Sequence, residues 1–228
     1  MYGVTSVSEV LKCLEENAST IVNRIYRCKN SSLARQESNE MHSIRYDPLT
    51  NNALLSYMMR RHVDINYGRV YCCEVHYNYR GKHYFGIAFR NQVGGYEIRN
   101  QYFKGCIGHK DITIIPQRKD NVSEHCCLFE GFMDFLSYLT LRDMNSSICI
   151  NAECDYIILN SVNNIAKVFE ELEKHAVVHT FLDNDLAGQR TYDIVVANYH
   201  GSIVYESEKF APFNDLNDYL VKSRKKNL

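Results

Sequence analysis

The chain has 228 residues, 45% of them apolar and 23% charged, with 17 tyrosines and no tryptophan. This excludes a disordered chain and allows one large domain or two small ones with proper cores. No apolar run reaches the ~20 residues of a bilayer span, and Met1 to Val10 lacks the charged-then-apolar order of a signal peptide, so a cytoplasmic protein without membrane contact is expected.

The formal charge of −1 conceals an asymmetry. Residues 1–120 hold 17 Lys/Arg against 11 Asp/Glu, a net of +6, whereas residues 121–228 carry −7. A basic half joined to an acidic half suits a polyanion on one side and cations on the other. The nine cysteines show no Cys-x-x-Cys spacing, so no zinc site is expected in this chain. Cys72–Cys73 and Cys126–Cys127 are adjacent pairs in β-like runs, where neighbours point to opposite faces, and read as reduced, buried thiols.

Taken in chain order, Ser6 to Cys28 has apolar residues at helical spacing. Lys29 to Asn51 is polar and reads as a mobile linker or an extended strap, so that residues 1–50 form an N-terminal helix and linker. Ala53 to Arg61 predicts a short helix. Residues 51–120 then read as a basic α+β subdomain: strands over Arg69 to Tyr79 and Lys82 to Phe89 joined at Arg80-Gly81, another from Tyr96 to Arg99, and Ile112 to Ile115 closing a small antiparallel sheet. From residue 121 the period changes. Strands at Cys126 to Phe129, Tyr156 to Leu159, Val177 to Leu182 and Ser202 to Tyr205 alternate with helices at Phe132 to Leu141, Val162 to Leu172, Gly188 to Asn198 and Asp215 to Val221. This alternation predicts an α/β domain over 121–228, a four-stranded, mainly parallel sheet with helices on both faces.

That topology sends the carboxyl ends of the strands to one edge, where ligands bind. Glu130 follows the first strand, Asp183 and Asp185 the third, and Asp215 the fourth. Asp185 or Asp215 alone has a plainer reading as a helix cap. Together, four carboxylates on one edge repel one another unless a cation lies among them, and hard oxygen ligands select Mg²⁺ or Mn²⁺. Gly131 and Gly188 permit tight strand-to-helix turns beside helix N-termini suited to phosphate.

The stretch CLFEGFMDFLSYL, Cys127 to Leu139, resembles the first toprim motif, Glu-Gly after a strand. FLDNDLAGQR, Phe181 to Arg190, resembles the second, Asp-x-Asp, and FNDLNDYL, Phe213 to Leu220, is similar to the downstream Asp-rich segment of DnaG-like primases. The resemblance implies a toprim domain in which Glu130 is the general acid/base or helps place metal, and Asp183, Asp185 and Asp215 bind metal. Asn217 stands where those primases have an aspartate; its amide oxygen is still a possible ligand, at the loss of one charge. Tyr84 to Ile112 more loosely resembles the N-terminal subdomain of mobile-element primases. Ser6 to Glu16 looks like the helix that ends the zinc-binding module preceding this region in that family, and the reading expects a chain without the module itself.

Residues 80–119 hold eight Lys/Arg and two acids, interleaved with aromatic residues. Cations that track phosphates beside rings that stack on bases suit single-stranded nucleic acid, with Arg90, Arg99, Lys104 and Lys110 as contacts and Phe85 and Phe103 as core. The histidines show no ligand spacing. The resemblance thus implies Mg²⁺-dependent synthesis of short RNA primers on single-stranded DNA from nucleoside triphosphates, with a replicative helicase or a separate zinc module as partner. Two alternatives stay open: a toprim nuclease using the same carboxylates to activate water, and a DNA-binding toprim module without activity.

Overall fold

The computed structural model describes residues 41–118 and 121–225; the helix expected over Ser6 to Cys28 lies outside them. Two five-stranded sheets share one main core. The first sheet, in the order β1-β2-β3-β4-β5, comprises β1 (Met41–Pro48), β2 (Cys72–Tyr79), β3 (Lys82–Arg90), β4 (Tyr96–Arg99) and β5 (Lys104–Ile107), all antiparallel. Helices α1 (Asn52–Arg60) and α2 (Ile65–Tyr71) precede β2, capped by the side chains of Asn51 and Asp64.

The hairpin between β2 and β3 turns on Arg80 and Gly81, whose φ angles are 49° and 70°. Two central residues in the left-handed region make the tight turn that matches strand twist, which glycine adopts without strain. The polar stretch read as a linker or strap carries β1, an eight-residue edge strand paired with β2.

The second sheet runs β10-β9-β7-β8-β6. Strands β7 (His125–Phe129), β8 (Cys154–Ile158), β9 (Val177–Phe181) and β10 (Ser202–Tyr205) are mutually parallel, as expected. A fifth, antiparallel strand joins them: β6 (Thr113–Ile115) pairs with β8 rather than closing the first sheet. Helices α3 (Phe132–Asp143), α5 (Leu186–Asn198) and α6 (Leu216–Lys225) follow β7, β9 and β10. The single helix expected over Val162 to Leu172 is instead a 3₁₀ stretch, Val162–Lys167, and one turn of helix, α4 (Phe169–Leu172).

Alternate strand residues serve opposite faces. Cys126 and Leu128 enter the core under Ile165, Leu172 and Val195, whereas Cys127 and Phe129 enter the core under α3 and α6. Helix α5 buries a single stripe, Gly188, Thr191 and Val195, on its sheet. Helix α3 is buried from Phe132 through Leu141 because it is enclosed on several sides. It packs on β7 and β8, on α2 and α6, and on the first sheet, where Phe132 stacks on Phe89 with ring centroids 5.0 Å apart. All seven described cysteines are free thiols. No helix among the described residues is long and apolar enough to cross a membrane.

Phe129 is fully buried and meets the rings of Phe135, Tyr138, Tyr156 and Phe181. Phe129→Ala is expected to cost about 3–5 kcal/mol, read as a lower midpoint in denaturant unfolding.

Candidate active site at the carboxyl edge

The carboxyl ends of β7 and β9 and the start of α6 bring together the acids that the sequence singles out. Glu130 is half-buried between β7 and Gly131, which begins α3. Burial, then the charges of Asp185 and Asp215, raise its pKa, while Lys104 and the Asp183 N–H act in the opposite sense. Its Oε2 is buried without a protein partner. Asp183 is raised to about 8, first by burial and then by Asp134, Glu130, Asp215 and Asp185. Five carboxylates therefore act on one another across this edge.

Asp185 is both helix cap and edge residue. Its Oδ1 accepts the N–H groups of Ala187 and Gly188 at 2.8 and 2.9 Å, leaving Oδ2 free of the cap. Gly188 is obligatory here, because a Cβ at that position would collide with the Asp183 carbonyl oxygen. Asp215 caps α6 in the same manner, its Oδ1 accepting the Asp218 N–H at 2.6 Å. Asn184 points away from the edge, its amide donating to the carbonyls of Ser207 and Phe213.

Sequence reasoning missed Asp134. It lies in the first turn of α3, almost fully buried, and its Oδ1 accepts the Asn217 N–H at 3.3 Å. Burial, then the Asp215 charge, push it up to about 7. The signal was its place in the first turn of the helix that begins just after Glu130. Asn217 is a structural tie beside this edge. It is fully buried, its amide donates to the Arg61 carbonyl at 2.9 Å and Ser137 Oγ at 2.7 Å, joining α6 to α3 and α1, and its Oδ1 is left without a protein partner.

The basic residues divide. Lys104 on β5 and Arg99 on β4 line a cleft with Glu97, Gly131, Asp134 and Asn160, facing the start of α3. Lys104 is exposed; Arg99 is partly buried, its Nε donating to the Tyr57 hydroxyl at 3.4 Å. Arg90 and Lys110 are exposed and lie outside the lining of this cleft. Phe85 packs against the core as expected. Phe103 does not: it is 40% exposed, on a turn whose Asn100 Oδ1 accepts the N–H groups of Tyr102 and Phe103.

The edge carboxylates stand wider than a closed cage. Among the described residues, the set whose donor atoms all lie within 4.8 Å of one another is Asp47, Glu74 and His76 on the first sheet, where no ligand spacing was legible. There both Glu74 oxygens are engaged, by the N–H groups of Thr50 and Asn51 and by His76, and Asp47 pairs with Arg45. The open edge suits a divalent cation that keeps several of its waters and takes only one or two protein carboxylates. The unpartnered Glu130 Oε2 and the mutual repulsion of five acids are what a divalent cation relieves.

The toprim-like family pattern matches residues 127–220. Those residues are a toprim-like domain. A second pattern, a domain of unknown function (DUF8464), matches residues 43–108. Among solved structures, the primase fragment of the bacteriophage T7 primase-helicase protein is similar at 16% identity, over 80% of this chain and 72% of that one, with a TM-score of 0.48. The Aquifex aeolicus primase, zinc-binding and RNA polymerase domains, is similar at 12% identity, over 94% of this chain and 60% of that one, with a TM-score of 0.49. No curated protein matches the chain.

A carboxyl raised in the folded state stabilises the fold at low pH and loses that contribution as pH rises from about 4 through about 8, the interval of Asp183. The chelator-treated protein is therefore expected to melt at progressively lower temperature across this interval. Saturating Mg²⁺ should restore stability at the alkaline end, and Asp183→Asn should flatten the dependence. Melting curves at several pH values, with and without Mg²⁺, check this.

Proposed function

We propose that the chain is a primase-like nucleotidyltransferase that uses Mg²⁺ or Mn²⁺ to make short RNA primers on single-stranded DNA. The observation that carries this reading is the cluster of mutually repelling acids at the carboxyl edge of the toprim-like domain, faced by Lys104 across a cleft.

Asp183 and Asp185 would hold the metal, with Asp215 beside them. When bound, the ion neutralises charge that develops on a transferring phosphoryl group. Glu130, whose affinity for protons is raised, accepts the proton of the attacking 3′-hydroxyl. The hydroxyl oxygen bonds to the α-phosphorus of the incoming nucleoside triphosphate, and pyrophosphate leaves. Lys104 and Arg99 meet the phosphates, and the template strand follows the exposed cations Arg90 and Lys110. The partners that go with this reading are single-stranded DNA, nucleoside triphosphates and a replicative helicase or a separate zinc module.

The test is primer synthesis on single-stranded DNA with labelled ribonucleotides and Mg²⁺ or Mn²⁺. Wild type should yield short RNA, and Asp183→Asn and Glu130→Gln should each lower the yield at least about 100-fold, the scale of an electrostatic or proton-transfer role. Metal-dependent cutting that the same substitutions abolish would replace the reading with a nuclease. DNA binding with neither activity would replace it with a binding module.

A further inference from the structure

Two acceptors in the cleft are left over by the site described above. Glu97, on β4, is 7% exposed, and Asn160, just beyond β8, is 5% exposed. Both line the cleft with Arg99, Lys104, Gly131 and Asp134. Glu97 Oε1 and Asn160 Oδ1 are each buried without a protein partner.

Their settings fix which atoms are on offer. The Asn160 Nδ2 donates to the Asp111 carbonyl and to Thr113 Oγ1, both at 2.9 Å. A carbonyl only accepts, so the amide orientation is determined and Oδ1 is left as an acceptor. The backbone is also committed: Asn160 has φ of 62°, a conformation in which asparagine is among the few tolerated side chains. Glu97 shares one hydrogen bond with the Cys106 thiol, and the charges of Lys110 and Lys104 act on it. Its second oxygen has no such bond.

A buried acceptor left unmatched is costly, and two in one cleft are matched by a ligand that donates. A phosphate does not donate, and the Glu97 carboxylate repels it. A bare cation is disfavoured by Arg99 and Lys104. Within this lining Arg99 and Lys104 suit an anionic group at the mouth, and Glu97 and Asn160 suit a single donor reaching in beside it. We infer that Glu97 and Asn160 form an acceptor pair that recognises a hydrogen-bond donor of the incoming nucleotide, a sugar hydroxyl or a base amino group, while Arg99 and Lys104 take its phosphates. This rests on the nucleotidyltransferase reading and adds two specificity residues to it.

Equilibrium binding separates the two. The full chain is titrated, in Ca²⁺ to prevent turnover, with ATP, 2′-deoxy-ATP and the triphosphate of purine riboside, which lacks the amino group. Wild type should prefer ATP over one analogue by about tenfold, the worth of one hydrogen bond, and that analogue names the donor. Glu97→Leu, which removes the acceptor at similar size, and Asn160→Gly, suited to the positive φ, should each bring the ratio to within about twofold by weakening ATP alone. Nucleotide binding with equal affinities in wild type, or with a preference unmoved by both substitutions, overturns the inference and leaves the primase reading standing. No nucleotide binding by folded wild type overturns both.

Discussion

Helix α3 is the constraint on which the rest of the molecule depends. It begins at Gly131, immediately after Glu130, and buries nearly every side chain along its length. One flank meets the parallel sheet through Phe135 and Tyr138, another meets α6, and Phe132 meets Phe89 of the first sheet. Because interiors are close-packed, the position of the first sheet over the acidic edge follows from this contact. The Phe89–Phe132 stack joins the first sheet to the N-terminal turn of α3, where Lys104 and Arg99 line one cleft with Gly131 and Asp134 and the Lys104 charge acts on Glu130. The same helix thus serves as core and as spacer between cationic and anionic surfaces.

The acidic edge works against that core. Glu130, Asp134 and Asp183 are all held above the ordinary carboxylate range by burial and by one another. Within the protein the repulsion is offset only in part: Lys104 acts on Glu130, Arg61 acts on Asp134, and Asp185 and Asp215 take backbone N–H groups at helix starts. Stability given up at one edge is a usual mark of a functional site, since groups arranged to hold a cation and its substrate are not arranged for the empty fold.

Much of this was legible in the sequence, and the parts that were not have physical reasons. The four parallel strands and the acids at their ends announce themselves, because buried strands read as apolar runs and the site residues fall directly after them. Strand β1 was obscure because its residues are mostly exposed or half-buried, so it lacks apolar alternation. The three-residue strand β6 carries no local mark of its partner, which begins some forty residues later in β8. Asp134 resembles an ordinary acid in the first turn of a helix until the neighbouring acids are placed around it. Asn160 follows Leu159 as any turn asparagine might; only its positive φ and its two amide bonds show that it is held in place. The 3₁₀ stretch at Val162–Lys167 has the apolar spacing of a helix, and periodicity alone does not distinguish the two.

Asn217 shows how charge and packing divide one segment. The resemblance to DnaG-like primases leads to an aspartate at this position, yet a carboxylate there would be fully buried beside Asp134, which already suffers from burial and from Asp215. An amide removes that charge and adds two donors, which reach Arg61 and Ser137 and bind α6 to the helices beneath it. The remaining acids of the segment then separate. Asp215 stays within the field of the edge, whereas Asp218 turns toward Arg61, with Nη1 at 3.9 Å. The acids that act on one another at the edge are thus Asp134, Asp183, Asp185, Glu130 and Asp215, with Asp218 drawn off to one side.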